Sequence, residues 1–180
     1  PTLPYPSYCK WSPEYGKLPP NVAVNYQSIG SGGGIHQLSV GTVFFGASDG
    51  PMTPQQIQDA GFPVVHLPTV LGGVVPVYNI TGVGSDLRFT GPVLANIYLG
   101  KITKWNDPAI KGLNPGVNLP GDDITVVHRF DGSGTSYIFC HYLSKVSLEY
   151  QQKVGVATAV RLPVGVGGKG HEGVDGLVSM

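Results

Sequence analysis

An α/β fold built around a parallel sheet is predicted by three features of the sequence. Short apolar runs alternate with helix-like segments along the chain, the pattern of parallel strands joined by crossover helices. The 27 glycines and 16 prolines fall between those runs and form no repeat, which is the punctuation of a fold with many tight loops. Hydrophobic residues make up 41% of the 180 and charged residues only 12%, enough apolar surface for a packed core and too little charge for a disordered chain.

The predicted elements follow in order. A helix runs through Tyr8 and Trp11, and residues 22–26 read as a strand. The Gly30-Ser31-Gly32-Gly33-Gly34 loop leads into a short helix over 35–38, and 43–47 is a second strand. Thr53 caps a helix that has Pro54 at its first position and ends near Ala60. Residues 64–67 form a third strand. A longer apolar strand over 70–78 is broken by Gly72 and Gly73, where a bend or domain crossover is expected. Thr90 caps a helix to Leu99, and Asp107 caps a turn at Pro108. Strands over 124–128 and 158–162 flank a helix over 134–145, and a last helix starts near Gly170 with Val174, Leu177 and Val178 on one face. The division expected is a first α/β domain over 1–70 and a second over 71–180, each incomplete. Pro1 opens in a loop and the final helix meets Met180 without a stop signal, so a piece of a longer chain is expected.

Composition narrows the function classes. Eleven Lys and Arg balance eleven Asp and Glu, so the basic excess of a nucleic-acid binder is absent. The longest apolar stretches are far below the roughly 20 residues of a membrane span. Two cysteines, Cys9 and Cys140, are too few for a disulfide framework; one bridge or two buried thiols are both open. The five histidines show no metal-ligand spacing and read as surface or core residues.

Three polar loops at helix starts carry the chemistry: Thr2-Leu3-Pro4, the glycine loop at Gly30, and Arg129-Phe130-Asp131-Gly132-Ser133-Gly134-Thr135-Ser136. Unsatisfied backbone N–H groups and the helix dipole favour an oxyanion at such a place, and glycine lets the ligand approach the backbone. A single loop of this kind is most often a tight turn, and a single Ser or Thr there an N-cap for its own helix. Three together, one carrying Arg129, shift the balance towards an anion site. Nucleotide P-loop, dinucleotide and nucleophile-elbow spacings are all missing. Asp49 reads either as a turn residue or as a site carboxylate. Asp131 reads either as an N-cap or as the group that holds the Arg129 guanidinium in place for a tetrahedral oxyanion.

At these residues the sequence resembles the PstS-type phosphate-binding proteins. The matching stretches are Asn25-Tyr26-Gln27-Ser28-Ile29-Gly30-Ser31, Phe45-Gly46-Ala47-Ser48-Asp49, Pro68 to Val75, Ile97 to Ile102 with Trp105-Asn106-Asp107, Arg129 to Ser136, and Gly167-Gly168-Lys169-Gly170. They run in family order from end to end of the chain. The resemblance implies the two-domain periplasmic-binding-protein fold of type II, present here in part, with phosphate in the cleft between domains. It implies phosphate ligands at Thr2, Leu3 (through its amide), Ser31, Asp49, Arg129, Ser133, Gly134 (through its amide) and Thr135, with Asp131 orienting Arg129. Leu3 stands where an aromatic is usual and Gly32 where a second serine is common. It further implies a non-enzymatic receptor that needs no cofactor or metal. Such a receptor lies in the periplasm or at the cell surface and delivers phosphate to the membrane permease of an ABC importer. Two alternatives stay open from the residues: a phosphatase or phosphoryl-transfer enzyme on the same loops, and a receptor for another oxyanion such as sulfate or molybdate.

Overall fold

The computed structural model describes residues 4–84 and 86–180. Helices dominate it: α1 Tyr5–Tyr15, α2 Gly30–Ser39, α3 Pro54–Ala60, α4 Gly91–Tyr98, α5 Pro108–Leu113, α6 Gly134–Val146, α7 Leu148–Lys153 and α8 Gly170–Ser179. Two short strands, β1 Val127–Arg129 and β2 Val166–Gly168, pair in parallel with Val127 opposite Val166 and Arg129 opposite Gly168.

Local chemistry explains where several helices begin. At α3, the Thr53 hydroxyl accepts from the Gln56 N–H while the Gln56 side chain accepts from the Thr53 N–H, the reciprocal box that satisfies two orphan donors. Gly61 closes α3 in the left-handed conformation. Asp107 caps α5 through the Ala109 N–H, and Ser147 caps α7 through the Tyr150 N–H. Thr90 occupies the cap position of α4 without a side-chain bond.

The core lies in the second part of the chain. Ile97, Ile102, Ile110, Leu119 and Val126 form one buried cluster, packed by Trp105 and Phe89. Ala95, Cys140, Leu143 and Tyr150 form another, where α4 and α7 pack on α6. Tyr150, Ile110 and Leu143 are fully buried. Full burial of a side chain of this size contributes about 1.5–3 kcal/mol. Among the described residues before Ile80, Met52 alone is a buried hydrophobic side chain.

The expected strands need correction. Residues 22–26, 43–47, 64–67 and 70–78 carry no strand, and Phe44, Val65, Leu67, Leu71 and Val75 are exposed. An apolar run states what a segment would bury; a strand also needs a neighbour to share its hydrogen bonds. The strand expected over 124–128 is displaced to Val127–Arg129, and 158–162 is a loop. The partner of β1 is instead the glycine run at 166–168, where Gly168 backs directly onto Gly173 of α8. α2 begins five residues earlier than expected, inside the glycine loop itself. α7 was not expected; its six residues are short for a period to show.

Candidate functional site

The glycine loop and the Arg129 loop meet. The Gly32 N–H donates to the Gly132 carbonyl at 3.0 Å. Gly30 sits at φ +76°, and a Cβ there would lie 2.5 Å from the Gly132 carbonyl oxygen, so both the backbone conformation and the space call for glycine. This contact places the start of α2 beside the start of α6.

Ser31 and Asp49 lie against the α6 start. Ser31 is fully buried, and its hydroxyl accepts from the Asp49 N–H at 3.1 Å. A Cβ on Gly134 would stand 2.6 Å from Asp49 Oδ2 and would also strike the Ser31 hydroxyl. The first residue of α6 therefore presents bare backbone to both side chains. Burial pushes the Asp49 carboxyl above the usual carboxylate range, against opposing effects of His171, Arg129 and the Ser31 hydroxyl.

Arg129 ends β1 and is 9% exposed. Its Nε donates to Asp131 Oδ1 at 2.6 Å and its Nη2 donates to Asp131 Oδ2. The two parallel bonds fix the guanidinium plane. Asp131 also accepts from the Gly170 N–H at 3.2 Å, which joins the start of α8 to the same cluster. The hydrogen bond from Arg129 is the main reason the Asp131 carboxyl sits below the usual range. Ser133, and not Asp131, is the cap of α6: its hydroxyl accepts from the Ser136 N–H at 3.2 Å.

Six of the expected residues are thus gathered at one place: Ser31, Asp49, Arg129, Ser133, Gly134 and Thr135, with Asp131 behind Arg129. Thr2 and Leu3 lie outside the described residues. The sequence reading missed His171, whose Nε2 is 3.4 Å from the Thr135 hydroxyl; its place one residue after the Gly-Lys-Gly run was the available signal. Cys9 is exposed, Cys140 is buried, and both are free thiols, so the bridge left open by the sequence is not formed. Among the described residues no three His, Cys, Asp or Glu side chains gather as a metal site, and no helix is long and apolar enough to cross a membrane.

Residues 4–177 match a family model described as a PBP superfamily domain. The chain belongs to the PBP superfamily. Among this superfamily chain's curated relatives, the phosphate-binding protein PstS of Xylella fastidiosa (strain 9a5c) is 52% identical over 97% of this chain and 47% of its own length. The PstS of Pasteurella multocida is 51% identical over 99% of this chain and 51% of its own. The PstS of Haemophilus influenzae is 48% identical over 98% and 52%, respectively. The chain spans about half the length of the curated relatives it matches. The type II periplasmic-binding fold class and the likeness to PstS proteins both stand on these matches.

Proposed function

We propose that this chain binds inorganic phosphate, as part of a solute-binding receptor that supplies the membrane permease of a phosphate ABC importer outside the cytoplasm. The observation that carries the reading is the meeting of Ser31, Asp49 and the paired Arg129 at the first turn of α6. A helix start offers N–H donors to an oxyanion, and a guanidinium held by a carboxylate sets a fixed, planar positive charge beside it. Micromolar affinity requires about 8 kcal/mol, within reach of several charge-assisted hydrogen bonds of about 1.5–3 kcal/mol each. The relatives named above are phosphate-binding proteins, which supports the same ion.

The ligand set under this proposal is Thr2, the Leu3 amide, Ser31, Asp49, Arg129, Ser133, the Gly134 amide and Thr135. Binding alone does the work: no bond is made or broken, and neither cofactor nor catalytic group is assigned. The division into units over 1–70 and 71–180, closing on the ligand about 70–73, belongs to the same proposal. It is supported by the position of both buried clusters after residue 80.

Asp49 favours phosphate over a fully deprotonated oxyanion. Phosphate near neutral pH keeps at least one proton and can donate it to this carboxylate. Sulfate would set lone pairs against it, and a buried acceptor left unpaired costs about 1–3 kcal/mol. Calorimetric titration with phosphate and with sulfate tests the reading. Tight phosphate binding with weak sulfate binding supports it; sulfate binding as tightly as phosphate, or hydrolysis of a phosphomonoester, would replace it.

A further inference from the structure

His171 reaches the cluster from α8. It is the second residue of α8, half-buried, and its Nε2 stands 3.4 Å from Thr135 Oγ1 at the start of α6. The α8 start is itself tied to the site, because the Gly170 N–H donates to Asp131. We propose that His171 is a positioning residue for the anion site, which orients the Thr135 hydroxyl and makes phosphate affinity depend on its protonation. The inference rests on the phosphate reading above.

A threonine hydroxyl has one proton. If Nε2 carries no hydrogen, it accepts that proton, and Thr135 turns its lone pairs to the site. An anion meeting those lone pairs is repelled. If Nε2 carries a hydrogen, it donates to the Thr135 oxygen, and the hydroxyl proton is released towards the anion. The imidazolium always has that hydrogen and brings a positive charge as well. Protonation of His171 therefore fixes Thr135 as a donor to the site.

The neighbouring charges agree with this role. From other elements, Asp49, Asp131, and Arg129 and His128 of β1 belong to the surroundings of α8. Arg129 and Asp131 are paired with each other, and His128 Nδ1 is engaged at 2.9 Å with the Arg129 carbonyl. The His171 imidazole is among the influences that lower the Asp49 carboxyl. On α8 itself and at its cap, the charged groups are Glu172, Asp175 and Lys169, and Glu172 folds back towards Gly170.

The test compares the phosphate-binding protein with His171→Gln and His171→Ala by calorimetry with inorganic phosphate at pH 8 and pH 5.5. Glutamine can donate to Thr135 but does not titrate. The ratio of wild-type to His171→Gln affinity, which cancels the ionisation of phosphate itself, should rise about 3- to 10-fold on acidification. His171→Ala should bind more weakly than His171→Gln at both values. A flat ratio with wild type still binding would overturn the role of His171 and leave the phosphate reading standing. Absence of phosphate binding by wild type at both values would overturn the phosphate reading, and this inference with it. A second readout needs no variant. Binding linkage is reciprocal, so saturating phosphate should raise the midpoint of the His171 imidazole titration followed by NMR. An unmoved midpoint would overturn the proposal.

Discussion

The N–H of Asp49 donates to the hydroxyl of Ser31 across 3.1 Å, joining residues 18 positions apart in the chain. Ser31 belongs to the first turn of α2, and Asp49 follows the segment after it. Gly134 touches both from a third segment. The site is thus held by side chain-to-backbone and close backbone contacts.

Arg129→Ala should weaken phosphate binding at least 100-fold, while circular dichroism at neutral pH shows the fold retained. Asp131 keeps its bond from the Gly170 N–H in this variant, so the carboxylate left behind is not stranded. An affinity within threefold of wild type, measured by calorimetry, would remove Arg129 from the ligand set.

Asp49→Asn should narrow the gap between phosphate and sulfate affinity about tenfold or more, because an amide can donate to either ion. An unpaired acceptor at the cost cited above corresponds to that range. Competition titration of both anions on wild type and variant reads the ratio. An unchanged ratio would leave Asp49 as a turn residue.

The two carboxyls predict opposite pH behaviour. Asp49 is raised in the folded state, so its favourable contribution is present at pH below its unfolded pKa and is lost as pH rises through the folded value. Asp131 is lowered, so its contribution is present above the unfolded pKa and is lost as pH falls through the folded value. Thermal melts between pH 2.5 and pH 7 should therefore show Asp49→Asn gaining on wild type as pH rises. Asp131→Asn should be destabilised at neutral pH and approach wild type at the acid end. Parallel curves for either variant would refute the corresponding assignment.

Gly30→Ala should destabilise the chain by more than about 1–2 kcal/mol, the cost of the left-handed backbone alone, because its Cβ would also strike the Gly132 carbonyl. Gly61→Ala shares the positive φ but meets open space. It should cost only the conformational part. Equal melting points for the two variants would mean that the close approach of the two loops contributes nothing.

Leu143→Ala should cost about 2–5 kcal/mol, as truncations at fully buried sites do, and leave the phosphate-to-sulfate ratio untouched. A changed ratio would show that the α4–α6–α7 cluster and the proposed phosphate site are coupled.

Much of the site was legible along the chain because its signals are local. The Arg-Phe-Asp-Gly-Ser-Gly-Thr run and the loop at Gly30 carry their own donors, and helix capping at Thr53 and Asp107 depends on residues within three positions. Those physical rules act over one turn, so sequence alone determined the starts of the helices capped by Thr53 and Asp107, the two glycine-containing loops and the residue types suited to an oxyanion. The tertiary structure alone decided the rest. Only folding paired β1 with the glycine run at Val166 in place of the apolar segment at 158–162, and only folding left 43–47 and 64–67 without strand partners. It also took the cap of α6 from Asp131 and gave it to Ser133, and it brought His171 within 3.4 Å of Thr135, 36 residues away. Strand pairing and side-chain meeting are long-range: which partner a backbone or an imidazole finds depends on how every element between them packs, and no local pattern encodes that.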